Sequence, residues 1–505
     1  MRDRPNVLVV MCDQLRADVL GCYGHPIVRT PNIDRLAETG VTFTNAYSQT
    51  PVCVPARQNL LTGRHSHQLD LLGNANEPIG RFPMLAELLS RAGYATAAIG
   101  KMHFHPPRQP HGFAHMELSE EIPENRDQDD YLIYLRDNGL GHVLEPHGQR
   151  HETYYEPQIS VLPAQHTTTA WTARRTAAYI RQAAGTDTPF FCMTGFLKPH
   201  PPFDPPWGFE RLYDPRDIPT PVRCDADRDP KDVFLLTQTH GKWRELTADD
   251  KAKTIRSRYY GLVSHIDAEF GHILDALDQT GQRDNTLIVF TSDHGELLGD
   301  HYQYGKRSYF EAAARVPLIV AWPKTLPRNQ QREHLAVLQD VFTTVLHAAG
   351  VETPDGVYGV NLLPAAADPA AASRDSVVGE FGHLEHAQTS TRSPVSRAST
   401  RTVTLKFMWR QDRWKYIYCV NGGRQQLFDI AASRDEIDDQ ADRRPELCRQ
   451  FYDNLVAHYQ ALPGQPFLEN SRLPVRPFRY NPALKEEFGV RNFQFPRWPQ
   501  NERPT

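Results

Sequence analysis

Polar residues able to do chemistry recur in this 505-residue chain directly after short apolar runs. Asp13 and Gln14 follow Asn6 to Met11 (NVLVVM), and Lys101 and His103 follow Thr96 to Ile99. His200 follows Pro189 to Leu197, and Asp293 and His294 follow Thr286 to Thr291. Carboxylate, amide and imidazole groups can hold a divalent cation, while lysines and imidazoles can hold an anion and move a proton. Each group alone has a plainer use. An Asp at a strand end often caps a helix, and a lone Lys, such as Lys306 in YGKRSYFE, is usually a solvated charge. A lone cysteine such as Cys53, four residues before Arg57, is ordinarily a buried thiol.

The apolar runs, with a fifth at Val316 to Ala321, are continuous rather than alternating, as strands covered on both faces must be. Helical stripes lie between them: Met84, Leu85, Leu88 and Leu89 before Gly93, and Tyr259 through Leu277 before Gly281. Alternating strands and helices predict an α/β sandwich around a mostly parallel sheet. Ligands bind such sheets beyond the carboxyl ends of the strands, so the separate polar groups point to one site. Leu363 to Ala372 reads as a boundary. After it, Thr402 to Phe407, Lys415 to Val420 and Gln426 to Ile430, with a turn at Asn421-Gly422-Gly423, predict a small antiparallel sheet, joined by a helix near Leu447 to Leu462. The expected division is 1–375, 376–462 and an extended tail, 463–505. Glu117 to Asp137 and Cys224 to Asp250 read as surface loops or lids.

Cys53-Val54-Pro55-Ala56-Arg57, followed by Leu61-Thr62-Gly63-Arg64, resembles the formylglycine signature of type I sulfatases at every signature position. The resemblance implies that Cys53 is oxidised to formylglycine by a formylglycine-generating enzyme, and that its hydrate is the nucleophile, fixed by Arg57. It implies one divalent cation on Asp13, Gln14, Cys53, Asp293 and His294. Oxygen donors favour Ca2+ first, with Mg2+ or Mn2+ also compatible. Lys101-Met102-His103 looks like the family's GKxH element, and His200 and Lys306 look like its sulfate-binding histidine and last lysine. His200 would then protonate the leaving alcohol, and His103 would take the proton when the hydrate collapses. The implied fold is alkaline-phosphatase-like: a large mixed, mostly parallel sheet between helices, then a small antiparallel sheet with a helix.

The order of motifs is similar to that of the choline-sulfatase and bacterial arylsulfatase branch, and the implied reaction is hydrolysis of a sulfate monoester. The runner-up is a phosphonate monoester or phosphodiester hydrolase. Those relatives share Asp-Gln and Asp-His but carry Tyr and Thr in place of Lys101 and His103. A third reading is a silent binding homologue, should Cys53 stay unmodified.

Composition excludes other classes. Hydrophobic residues are 40%, charged residues 23% and the net charge is -5, with no basic stripe for nucleic acid. No run of about 18 apolar residues suggests a membrane span. Seven cysteines without a CxxC pair suggest no disulfide framework. The chain is expected to be cytoplasmic and homo-oligomeric, its aromatic tail either packing across another subunit or wrapping its own chain. His65 and His67 form an HxH that can be a metal pair, but reads as structural or substrate-facing.

Overall fold

The structure is a computed structural model that describes residues 4–74, 82–123, 125–150, 154–228, 244–382 and 405–477. Eight strands form the large sheet: β1 (Asn6–Asp13), β2 (Val41–Tyr47), β3 (Ala95–Gly100), β4 (His115–Leu118), β5 (Phe190–Pro199), β6 (Thr286–Ser292), β7 (Leu318–Ala321) and β8 (Gln330–Val337). Their order is β4-β3-β5-β1-β6-β7-β2-β8, and β7 alone runs against its neighbours. The chain therefore has an alkaline-phosphatase-like frame of a large, mostly parallel sheet plus a small antiparallel one.

The run NVLVVM shows why apolar continuity was needed. Leu8, Val10 and Cys12 pack into a core with Ile180 of the helix Thr168–Ala183 and Ile255 and Phe270 of the helix Asp249–Gln279. Val7, Val9 and Met11 pack on the other face with Leu60, Leu85 and Val341 from three further helices. A strand with helices on both faces has no side left for polar residues.

β2, β4 and β8 went unread in the sequence. β8 is an edge strand with an exposed, polar first half, and β4 has only four residues. Glu117 to Asp137 is not a surface lid. Glu117 and Leu118 complete β4, and Asp130–Asp137 is a helix whose Asp129 cap accepts from Leu132 N at 2.9 Å. Tyr131, Leu132 and Leu135 bury that helix against Trp171. Of Cys224 to Asp250, residues 229–243 lie outside the described residues, and Asp249 and Asp250 begin the long helix. Leu363–Ala367 is helical and stays with the large sheet, its Ala365 carbonyl accepting from Arg332 at 2.9 Å.

The small sheet is β12-β11-β10-β9: β9 (Ser376–Phe381), β10 (Lys406–Gln411), β11 (Trp414–Cys419) and β12 (Arg424–Asp429). Gly422 and Gly423 turn the chain between β11 and β12 at φ 82° and 61°, where a side chain would be strained. One face packs under the helix Pro445–Gln460. The other packs Met408, Ile417 and Phe428 against Tyr309 and Phe310 of the large unit. The first part of the tail wraps its own chain, one of the two arrangements expected for it. Phe467 lies 5.2 Å from the rings of both Phe407 and Tyr459, and Leu473 joins the same core. The remaining tail aromatics, from Phe478 to Trp498, lie outside the described residues. Among the described residues no helix is long and apolar enough to cross a membrane.

Candidate active site

β1 and β6 are parallel neighbours, so Asp13 and Asp293 emerge side by side at the centre of the sheet. Ser292 ties the two ends together, donating to the Cys12 carbonyl at 3.0 Å and accepting from Leu15 N at 2.9 Å. Asp293 Oδ1 accepts from Gln14 N at 3.0 Å and from His294 N at 2.9 Å, which fixes the carboxylate. Gln14 holds a positive φ of 70° and His103 one of 58°, conformations that non-glycine residues keep only where surroundings enforce them.

Cys53 reaches this point from the other side. β2 delivers the chain to the same edge, and Cys53 opens the buried helix Cys53–Thr62. Pro55 sits in its first turn, where a missing N–H costs nothing. Cys53 Sγ lies 3.2 Å from His294 Nε2 and 3.7 Å from Asp13 Oδ1. One donor atom from each of Asp13, Cys53, Asp293 and His294 falls within 4.8 Å of the others, and all four residues are buried. Two carboxylates, an imidazole and a cysteine-derived group suit a divalent cation that prefers oxygen. Gln14 is turned otherwise: its Oε1 accepts from Lys306 Nζ at 2.5 Å, and its Nε2 donates to Glu296.

One turn into the helix, Arg57 donates to Asp293 Oδ2 at 2.9 Å and to the Lys101 carbonyl at 2.7 Å, and reaches Asp13 Oδ2 at 3.4 Å. Lys101 Nζ lies 2.8 Å from Glu121. A Cβ on Gly195 of β5 would stand 2.0 Å from the Lys101 carbonyl oxygen, so only glycine lets the two strand ends approach. His200 donates from Nδ1 to the Pro201 carbonyl at 2.8 Å and turns Nε2 to Tyr154 at 3.3 Å and Glu121 at 3.5 Å. His103 is half-buried, its backbone N donating to Glu120 at 3.0 Å.

The site is electrostatically tight. Burial alone would raise Asp13, yet Lys101, His200, Arg57 and Lys306 hold its pKa well below the usual carboxylate range. Burial beside Asp13 pushes the Cys53 thiol up to about 12, and a thiol so reluctant to ionise is a poor nucleophile as it stands. Burial pushes His294 down to about 4 and His103, also facing Lys101, down to about 3. His200 is lowered for the same reason. Neutral imidazoles can ligate or accept protons.

Glu121 was not legible beforehand. It bridges Lys101, His200 and Arg150, the last at 2.7 Å, and these partners hold its pKa well below the usual range although it is buried. Glu120-Glu121 just after β4 was the available signal, obscured by its polar surroundings. His65 and His67 face β9 instead, His67 Nδ1 lying 2.9 Å from Glu380. His301 stacks on Phe310 at 3.9 Å.

Frame and site define a hydrolase of the alkaline-phosphatase-like class, with its cluster of buried charged groups at the sheet's carboxyl edge. The sulfatase family model matches residues 5–351, and the chain belongs to that family and is a sulfatase. A second model, the C-terminal part of N-sulphoglucosamine sulphohydrolase, matches residues 299–443. The chain is 28% identical over 458 residues to an arylsulfatase of Clostridium perfringens, covering 86% of this chain and 89% of that protein. It is 28% identical over 450 residues to a choline-sulfatase of Rhizobium meliloti, covering 85% and 81%. Its fold superposes on the phosphonate monoester hydrolase of Agrobacterium radiobacter with a TM-score of 0.75, at 27% identity over 91% of this chain and 96% of that one.

Proposed function

We propose that this enzyme hydrolyses sulfate monoesters, with Cys53 matured to formylglycine as the nucleophile. The observation that carries the reading is the convergence of Cys53, Arg57, Lys101, His103, His200 and Lys306 around Asp13 and Asp293. Asp13, Asp293, His294 and the matured Cys53 would hold one divalent cation, with Gln14 joining after its amide leaves Lys306. Ca2+ fits the oxygen donors, and Mg2+ or Mn2+ also suit them. Such a cation, when bound, acidifies a coordinated hydroxyl and neutralises charge on the ester.

The chain's own groups do the rest. Arg57 aligns the nucleophile by charge-assisted hydrogen bonds. Lys101 and Lys306 receive sulfate oxygens, and Lys101 exchanges its contact with Glu121 for one with the substrate. His200 presents Nε2 to the leaving oxygen, and an anionic substrate beside Glu121 raises its proton affinity so that it can donate. His103, uncharged when the pocket is empty, accepts the proton released when sulfate is expelled. A cavity of about 300 Å³ lined by His103, Phe104, Glu120, Glu121 and Asp129 adjoins His103.

The reading includes a formylglycine-generating enzyme as maturation partner, a homo-oligomer and a cytoplasmic location. A phosphonate monoester hydrolase is the second reading, favoured by Gln14, His294 and the Agrobacterium radiobacter neighbour. The test is a turnover screen of aryl, choline and sugar sulfates beside phosphonate and phosphodiester substrates, run on chelated and metal-restored enzyme. A phosphorus ester turned over best would replace the first reading with the second.

A further inference from the structure

A second group of metal-capable side chains sits where the two sheets meet, sharing no residue with the site above. His65 and His67 follow the helix Cys53–Thr62, and Glu380 lies on β9. One donor atom of each lies within 4.8 Å of the other two. His65 is only 3% exposed, and neither ring nitrogen has a hydrogen-bond partner among the described residues. A buried imidazole that has left water and gained no partner is unusual and calls for an occupant. Its ring packs at a tilt of 52° against Tyr358 at 3.9 Å and stacks on His67 at 5.3 Å.

The other donors are fixed as firmly. Glu380 accepts from His67 N at 2.6 Å and from the Tyr459 hydroxyl at 3.2 Å, and lies 2.9 Å from His67 Nδ1. From the helix Pro445–Gln460, the His458 ring comes within 5.9 Å of His65, and its Nε2 is likewise buried without a partner among the described residues.

We propose that His65, His67 and Glu380 form a second metal site, taking a divalent transition ion of the Zn2+ type, with His458 as the fourth donor. Imidazole-rich sets with one carboxylate select Zn2+-like ions over Ca2+ or Mg2+. Tetrahedral donors at about 2.0–2.2 Å from the ion stand roughly 3.4 Å apart, so small ring rotations close the present spacing. When the ion takes Nδ1 of His67, the neutral imidazole carries its single N–H on Nε2. The ion joins the segment after the nucleophile signature to both the small sheet and its covering helix, making the site a clamp between the two units.

The test uses full-length protein without a histidine tag, stripped with chelator and resaturated with Ca2+. It is titrated with Co2+, read by d–d absorption, and with Zn2+, read by metal analysis after desalting and by Tm. One Co2+ equivalent with a tetrahedral spectrum and a Zn2+-dependent rise in Tm are expected. Both should persist in Asp13→Asn and vanish in His67→Gln and Glu380→Gln. His458→Gln should weaken binding about tenfold. Should Glu380→Gln fail to fold, His67→Gln and His65→Gln carry the test. Wild-type protein that binds no Co2+ beyond the equivalent lost in Asp13→Asn overturns the proposal, as does a full tetrahedral signal in His67→Gln. None of these readouts depends on turnover, so the outcome is separate from that of the sulfatase substrate screen.

Discussion

Lys101 Nζ lies 2.6 Å from Asp13 Oδ2, and both side chains are wholly buried. They come from strands separated in the sheet by β5, yet they form one ion pair. An ammonium placed so deep needs an anionic partner at all times. Asp13 supplies one and Glu121 another, 2.8 Å from the same nitrogen.

Lys101→Met should therefore cost the sulfate monoester reaction far more than a phosphodiester reaction. A sulfate monoester offers three non-bridging oxygens, whereas a phosphodiester offers two and an extra carbon substituent that leaves the ammonium unpaired. Wild-type kcat/KM should favour nitrophenyl sulfate over phenylphosphonate ester and phosphodiester, and the variant should narrow the gap by at least about tenfold, or about 1.4 kcal/mol. A wild-type preference of that size for a phosphorus ester would refute the sulfate assignment.

Cys53→Ala should abolish turnover and leave the far-UV spectrum and Tm nearly unchanged, because alanine keeps the helix start but carries no atom that can attack. Intact mass of the Cys53 peptide from the native host should show the aldehyde. An unmodified thiol would point to the silent homologue.

Asp293→Ala should lose both metal and rate. It also strips Arg57 of its 2.9 Å partner, so stability should fall by about 3–5 kcal/mol, as expected when one member of a buried pair is removed. Metal analysis beside urea unfolding separates the two losses. Normal metal content with full activity would contradict the assignment.

Glu117 gives a pH signature away from the site. Its carboxylate accepts from Arg175 Nη2 at 2.9 Å and lies 2.7 Å from His115 Nε2, and although burial opposes ionisation, these partners lower its pKa to about 2. A depressed acid stabilises the fold above its unfolded pKa near 4.5, and that contribution fades as the pH falls towards 2. Arg175 is half exposed, so solvent screening reduces the effect to about 1 kcal/mol. Glu117→Gln should be less stable than wild type by that amount at pH 7, the two curves converging in acid. A difference independent of pH would show that packing, not charge, is responsible.

Removal of residues 478–505 should lower the oligomeric state without lowering Tm, since Phe467 and Leu473 remain in their own core. Light scattering on the truncated chain tests this. An unchanged mass per particle would show that these aromatics do not bridge subunits.

The apolar runs and the residues after them determined much of the frame by themselves. A strand such as NVLVVM has helices on both faces, so its composition announces its place, and the first polar residue announces its end. Asp13, Lys101, His200 and Asp293 were legible for that reason, and Cys53 because its signature is long. Tertiary structure alone decided the rest. Glu121 sits in a polar stretch whose meaning depends on Lys101 and His200 arriving from other strands. Gln14 lies beside Asp13 in sequence, but only the fold turns its amide to Lys306. His65 and Glu380 are over 300 residues apart, and β9 brings them together because its sheet packs against the large unit. Local sequence encodes burial and strand ends, whereas the partner of a buried charge is set by which strand ends the sheet order places side by side.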